Sequence, residues 1–346
     1  MRARAVIGSI LVVLSALLAA CGEEQGGPTA GDIIKARVDN QFQKGGSESS
    51  VTLPTGRLLI HAAKPVDSAS GDDTRTRESV DAPSGSVLVP ISWQYDPWSK
   101  GRLDGIVATA DTPIVDLVSD EEHYRLPPPE LADKGGESFY VVVDGDAKDR
   151  SLEIDFDGVT QTVNLTTGKT DKGDAAALYD IDDSALKKRP CDNESWFDSQ
   201  TVAAEFTCGL TGPILTPYAA GEWAPQGSMW LAVTVQTEMR VYGETNGQGG
   251  GARYVARDVK VKSEIDGTKP AFELTTDEGD ACPVPQAVAC GWSKHLIFEV
   301  PADDTEQGPL DLEVGYKMRI AVAWGGYDPP SRISIDAAES FKLWDD

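Results

Sequence analysis

The amino-acid sequence predicts an all-β fold, two tandem β-sandwiches that follow an N-terminal signal helix and a flexible tether. Apolar and polar residues alternate over short runs, as in half-buried strands, and Gly, Pro and Asp turns separate these runs. Beyond the first twenty residues, no long segment has the 3.6-residue period of an amphipathic helix. Runs in the second half also repeat runs in the first half, in the same order.

The first twenty residues have the pattern of a secretory signal peptide. Arg2 and Arg4 precede an apolar run over residues 5–20, which as a helix spans roughly 24 Å, short of the ~30 Å hydrocarbon core of a bilayer. The letters "LAAC", which end at Cys21, resemble the lipobox of bacterial lipoproteins. The alternatives are an ordinary signal peptide with an incidental cysteine and an uncleaved membrane anchor.

The lipobox resemblance implies that the Cys21 thiol receives a diacylglyceryl group and that the peptide bond before it is cleaved. Two acyl chains anchor a protein stably, whereas a single chain anchors it only marginally. We therefore expect the membrane as a partner, reached through the lipid on Cys21, and a location on the extracytoplasmic face of the cell membrane.

The charge balance excludes one class of partner. The chain has 31 basic and 56 acidic residues, a net charge of −25. Removal of Arg2 and Arg4 with the signal peptide leaves 29 basic against 56 acidic residues, a net charge of −27. Such a surface repels nucleic acids, so the expected partner is a protein or another component of the cell envelope.

Four cysteines remain when Cys21 is lipidated, and an even number in an exported chain predicts two disulfides. Three pairings are possible, and we favour the local ones, Cys191 with Cys208 and Cys282 with Cys290. A zinc site is not expected, because the chain has no Cys-x-x-Cys pair and only three widely spaced histidines.

The domain boundaries follow from composition. Residues 21–51 are rich in Gly, Gln, Ser and Glu, which predicts a flexible tether with a short helix near residues 33–38. We place the first sandwich at residues 52–180, a linker at 181–195 and the second sandwich at 196–346.

The internal repeat indicates a duplicated domain. "APSGSVLVPISW" (82–93) matches "APQGSMWLAVTV" (224–235), and "PIVDLVSDEE" (113–122) matches "PAFELTTDEG" (270–279). "FYVVVDGDAKDRSLEIDF" (139–156) parallels "LIFEVPADDTEQGPLDLEV" (296–314). The offset grows from 142 to 157 residues, and the insertion "NGQGGG" (246–251) accommodates the difference.

Each copy contains six or seven short predicted strands, and Asp157-Gly158 predicts a type I′ hairpin turn between two of them. This density of strands is typical of an immunoglobulin-like sandwich. The predicted strands span residues 58–62, 87–94, 114–117, 139–143, 152–156 and 159–165, then 202–207, 229–235, 253–262, 272–275, 296–300, 310–314 and 317–324.

The phrase "WAPQGS" (223–228) before an alternating strand, with "LIFEVPADD" and "LDLEV" later, resembles the telokin-like immunoglobulin-fold domains of Gram-positive lipoproteins. The first copy lacks the tryptophan and has Asp81 before "APSGS". The resemblance implies a fold and an extracytoplasmic setting, and it carries no catalytic residues to transfer.

Aromatic residues in "WQYDPWSKG" (93–101) are the candidate ligand contacts. Asp96-Pro97 forces a turn that exposes Trp98, and Tyr95 lies close by. Exposed flat rings are what a carbohydrate or peptide stacks on. The alternative is that Trp93 and Tyr95 point into a core while Trp98 covers a loop.

Catalytic chemistry is not evident, and we expect a protein that is not an enzyme and has no cofactor. The sequence has no Gly-x-Ser-x-Gly elbow and no His-Glu-x-x-His motif. Asp144 and Asp146 have the spacing of calcium ligands, but Lys148 occupies a ligand position and Asp149 replaces the required glycine. Calcium or carbohydrate capture remains the alternative function, and a hydrolase built on paired carboxylates is the third.

Overall fold

The computed structural model describes residues 27–44, 46–99, 103, 105–108, 111–130, 135–181, 187–191, 197, 201–276, 282, 289–303 and 307–344. Over these residues the chain forms β-strands, joined by turns and one short 3-10 helix, and the strands pair in antiparallel sheets. The prediction of an all-β fold is confirmed.

Twelve strands form the first half of the chain. They are β1 (Ile33–Lys35), β2 (Ser47–Leu53), β3 (Gly56–Ala62), β4 (Ser68–Ala69), β5 (Val80–Asp81), β6 (Ser86–Tyr95), β7 (Ile114–Ser119), β8 (Glu122–Leu126), β9 (Glu137–Asp144), β10 (Arg150–Phe156), β11 (Val159–Asn164) and β12 (Thr170–Asp171), and the 3-10 helix (Gly173–Tyr179) follows them.

Ten of these strands build two five-stranded sheets around one apolar core, and β4 and β5 pair with each other. The strand orders are β1-β9-β6-β3-β2 and β12-β11-β10-β7-β8. Every second side chain of β3 and β10 is buried, because successive residues of a strand point to opposite faces. Both sheets contribute to the same core, for example through Ile60 from the first and Ile154 from the second.

The predicted turn between β10 and β11 is confirmed. Asp157 and Gly158 have φ angles of 51° and 82°, the two positive values that a type I′ turn requires. Asp155 accepts a hydrogen bond from the Gly158 amide at 3.1 Å, which closes the loop.

The prediction of a flexible tether with a short helix is wrong for the part that the structure describes. Ile33–Lys35 is not helical but pairs with β9, and Ser47–Leu53 pairs along its whole length with β3. Composition suggested too little apolar surface, but Ala36, Phe42 and Val51 are buried in apolar clusters. Pairing with a neighbouring strand satisfies the backbone of these polar segments.

Ten further strands form the second half. They are β13 (Lys188–Pro190), β14 (Val202–Thr216), β15 (Tyr218–Ala219), β16 (Glu222–Trp223), β17 (Ser228–Thr245), β18 (Gly251–Ile265), β19 (Phe272–Thr275), β20 (Cys290–Pro301), β21 (Leu310–Trp324) and β22 (Arg332–Phe341).

Eight of these strands form one sheet with a second apolar core. Strand β17 pairs with β14 on one side, and on the other side it pairs first with β20 and then, near its end, with β18. Strands β18, β21 and β22 continue the sheet. The two parts face each other across the core, since Tyr316 of β21 donates a hydrogen bond to the Thr237 hydroxyl of β17 at 3.2 Å.

Residues 310–324 form one strand, whereas the sequence predicts two. Gly315 lies between the two predicted strands and stays in the ladder, paired with Lys260 on one side and Asp336 on the other. The backbone of Gly315 therefore continues the extended conformation, so this glycine does not end the strand.

The two halves share part of the first core. Tyr218 is fully buried, and its ring packs edge-on against Phe156 of the first half, with centroids 5.5 Å apart. Its hydroxyl donates to Asp157 at 3.3 Å, and the Trp223 indole donates to the Phe156 carbonyl at 3.1 Å. The halves are therefore joined by buried apolar contacts as well as by the chain.

The first element of the internal repeat has the same local geometry in both halves. Gly85 and Gly227 have φ angles of 86° and 84°, and the amide of the following serine donates to a proline carbonyl three residues back in each copy. This is the geometry of a type II turn. The second element differs, since β7 pairs with β8 and β10 whereas β19 pairs with β20.

Candidate functional site

Trp98 is the large apolar side chain with the greatest exposure among the described residues, at 91%. It follows the end of β6, in a turn that begins at Asp96. The Asp96 carboxylate accepts a hydrogen bond from the Trp98 amide at 2.9 Å, and the Asp96 carbonyl accepts one from the Ser99 amide at 3.0 Å. Asp-Pro turns are stabilised in this way, and here the turn directs an indole ring into solvent.

The base of this turn is tied to β3. The Ser99 hydroxyl is buried, donates to the Asp96 carbonyl at 2.8 Å and accepts a hydrogen bond from the Arg57 amide at 2.8 Å. The Arg57 carbonyl in turn accepts a hydrogen bond from the Asp96 amide at 2.8 Å. The turn that carries Trp98 is therefore already fixed to β3. Less conformational entropy is lost when a partner binds to a turn that is already ordered.

Tyr95, the other candidate ligand contact, belongs to the core and not to the surface. It is only 4% exposed, and Trp93 is only 1% exposed. Both residues lie on the inner face of β6, two positions apart, as the period of a strand requires. Burial raises the pKa of the Tyr95 hydroxyl. The predicted pair of aromatic contacts is thus reduced to Trp98.

The acidic loop after β9 does not gather its carboxylates around one point. Asp144 accepts a hydrogen bond from the Ser86 hydroxyl at 2.8 Å, while Asp146 pairs with Lys148 at 2.5 Å. This contact with Lys148 lowers the pKa of the Asp146 carboxyl. Within the described ranges, no group of three or more His, Cys, Asp or Glu side chains is placed to hold a metal ion.

The three histidines lie on three different strands. His61 is in β3, and His123, in β8, lies 3.8 Å from the Glu153 carboxylate. His295 is half-buried inside β20, where its Nδ1 is 2.8 Å from the Thr234 hydroxyl oxygen. These positions do not bring two histidines together.

Both predicted disulfides are confirmed. Cys191 pairs with Cys208, with Cα atoms 5.3 Å apart, and Cys282 pairs with Cys290, with Cα atoms 4.1 Å apart. All four cysteines belong to or contact the second core. The bridges therefore stabilise the second half and leave no thiol among these four for chemistry.

The predicted lipid attachment residue, Cys21, and the signal peptide lie outside the described residues. In the part of the chain that is described, no helix is both long enough and apolar enough to cross a bilayer.

Trp98 is thus the predicted contact residue that the fold leaves open to a partner, and its anchored turn is the candidate site. No protein-family model and no curated protein matches this chain.

Proposed function

We propose that this chain is an exported, lipid-anchored protein that binds a component of the cell envelope through Trp98 and is not an enzyme. The observation that carries the proposal is the 91% exposure of an indole ring on a turn anchored to the neighbouring strand. An exposed tryptophan on a fixed support can bury a large apolar area on binding at a small entropic cost.

The proposed location rests on the sequence. The lipobox-like "LAAC" ending at Cys21 supports a diacylglyceryl anchor and a place on the extracytoplasmic face of the cell membrane. Two disulfides are in keeping with an oxidising compartment outside the cytoplasm.

The proposal includes an immunoglobulin-like fold for each half. Two antiparallel sheets around one core support it for the first half, and a sheet that closes over its own core supports it for the second. In this proposal the two halves act as one support for the Trp98 turn, since they share buried contacts at Tyr218.

A carbohydrate is the second candidate for the bound component, because sugar rings stack on flat, exposed indoles. The test compares the purified protein with its Trp98→Ala and Trp324→Ala variants in sedimentation with isolated cell-wall glycan. Trp324 is a matched control, since it is also exposed, at 43%, but lies at the end of β21. A tryptophan at the centre of an interface contributes about 2 kcal/mol or more, so Trp98→Ala should weaken binding roughly thirtyfold.

The control should bind like the unmodified protein. Equal loss in both variants would mean non-specific adhesion by exposed indoles, and unchanged binding of Trp98→Ala would refute the site. A photo-crosslinker at position 98 in intact cells extends the test to protein partners, since a specific adduct should form there and not at position 324.

The anchor has a separate test. Cys21→Ser should release the protein from the membrane fraction and abolish incorporation of labelled lipid. Continued labelling of this variant would contradict the anchor without affecting the Trp98 result.

A further inference from the structure

A cluster of positive charge lies on β18, β21 and β22, in a chain whose net charge is −25. The side chains line a cavity of about 480 Å³. Its charged lining residues are Arg257, Lys317, Arg319, Arg332 and Asp258. Of all charged residues in the chain, 56 of 87 are acidic, whereas four of the five at this cavity are basic.

Two of these arginines face each other across neighbouring strands. Arg319 of β21 and Arg332 of β22 are direct partners in the ladder, and both are exposed. Like charges at directly opposite positions destabilise a sheet. Neither guanidinium makes an ion pair with a described residue. Folding of the sheet thus gains nothing from this pair, and an anion bound between the two guanidinium groups would relieve their repulsion.

A β-bulge brings the third arginine to the same place. The register between β18 and β21 shifts between Ala256 and Asp258, so Arg257 is the extra residue of the bulge. Bulges redirect side chains and occur frequently beside functional sites. Here the redirected side chain lines the cavity together with Arg319 and Arg332.

The local acid does not cancel this charge. The Asp258 carboxylate pairs with the Lys317 ammonium group at 3.0 Å, so this ion pair uses the single acidic group of the lining. With four cationic groups and one anionic group, the lining has a formal charge of +3. Ser334, which also lines the cavity, adds a hydroxyl donor.

We propose that this cavity binds the phosphate group of a compact ligand. Guanidinium groups form paired, charge-assisted hydrogen bonds with oxyanions. A planar carboxylate is satisfied by one such fork, whereas a phosphate, with a charge of about −1.5 to −2 and three acceptor oxygens, can use the Arg319 and Arg332 guanidinium groups and the Ser334 hydroxyl together. The chain's overall negative charge disfavours a long polyanion, so the ligand is small. This site is independent of the Trp98 turn.

The test is calorimetric titration of the purified protein with inorganic phosphate and pyrophosphate at constant ionic strength. The double variant R319A/R332A should bind about tenfold more weakly or worse, because it lacks two charge-assisted donors. Both side chains are exposed, so the variant keeps its packing, and removal of the like-charge pair should raise its melting temperature. A variant that loses binding but melts later cannot have lost it by unfolding.

The matched control is R37A/R75A, which removes the same charge from exposed ion pairs with Asp72 and Asp39 in the first half. The affinity of this control variant for phosphate should stay within roughly twofold of the affinity of the unmodified protein, because salt screens exposed surface charges. Equal weakening of phosphate binding in both double variants would overturn the proposal. The proposal would also be overturned if the unmodified protein bound neither inorganic phosphate nor pyrophosphate nor the vesicles described below.

Additional binding measurements identify the source and the type of the anion. Vesicles of phosphatidic acid, whose headgroup is a phosphate monoester, are compared with phosphatidylcholine vesicles to test a lipid headgroup. Binding to phosphatidic acid that R319A/R332A loses assigns the phosphate to a lipid, and binding to free phosphate alone assigns it to a soluble ester. Tighter binding of citrate than of pyrophosphate would overturn the preference for phosphate.

Discussion

The junction between the two halves yields the sharpest prediction, made by replacing Tyr218. This side chain has no exposed surface, although it belongs to the second half. Its ring contacts Phe156 and Trp223, with centroids 5.5 and 5.1 Å away, and its hydroxyl donates to Asp157 at 3.3 Å. Tyr218→Ala removes all of these contacts, and Tyr218→Phe removes only the hydrogen bond.

The magnitudes follow from burial. Replacing a fully buried aromatic side chain with alanine costs about 3–5 kcal/mol in the free energy of unfolding, because transfer and cavity terms add. Loss of the hydrogen bond alone costs about 0.5–1.5 kcal/mol. We expect these two ranges for Tyr218→Ala and Tyr218→Phe, so packing should account for most of the effect.

The assay is urea unfolding followed by tryptophan fluorescence and by circular dichroism. Since Tyr218 belongs to the first core and Tyr316 to the second, Tyr316→Ala is the matched control for a buried tyrosine away from the junction. Tyr218→Ala should also increase proteolysis near residues 217–224, whereas Tyr316→Ala should not. A loss below about 1 kcal/mol for Tyr218→Ala, or no difference from Tyr218→Phe, would refute the shared core.

Three further predictions concern the second half. Arg332→Glu should turn the repulsion with Arg319 into attraction and stabilise the protein by about 1 kcal/mol, a rise of roughly 2–4 °C in melting temperature; an earlier transition would contradict this. Burial raises the pKa of Tyr254 to about 12, above its value of about 10 in the unfolded chain, so unfolding releases a proton in this range. The contribution of Tyr254 to the free energy of unfolding should be fully present below about pH 10 and should decrease as the pH rises toward about 12. The Tyr254→Phe variant should lose less stability over this pH range than the unmodified protein does. Replacing Cys191 and Cys208 with serine should cost about 3 kcal/mol, since the bridge closes a 17-residue separation; an unchanged urea midpoint would count against it.

Much of the fold could be predicted from short stretches of sequence. The alternation in residues 152–156 and the turn at Asp157-Gly158 define a hairpin without reference to the rest of the chain. The favoured disulfide pairings join cysteines 17 and 8 positions apart, and both are present. Local chemistry decides these features, because period, turn type and loop closure depend on near neighbours in sequence.

The candidate sites could be predicted only in part. The Asp-Pro turn indicates exposure of Trp98, and this exposure is observed. The same stretch cannot say which face of β6 meets the core, so it misplaces Tyr95. The arginine cavity was not predicted, because Arg257 is far from Arg319 and Arg332 in sequence and only the pairing of β18 with β21 brings it to them. The nearest sequence signal is the pair of arginines on either side of the turn "GGYDPP" (325–330).

The sequence by itself predicted many of the strands, the turn at Asp157-Gly158, the local disulfides and the negative charge, and it supplies the expectation of a lipobox at Cys21, but it did not predict β1, β8 or β22. Tertiary structure decided that the segment around Val51 joins a sheet and that Tyr218 completes the core of the other half. It also decided that a bulge places Arg257 beside Arg319 and Arg332. The physical reason is that burial and charge density depend on the pairing of distant strands, and a local pattern specifies which face is apolar but not which surface covers it.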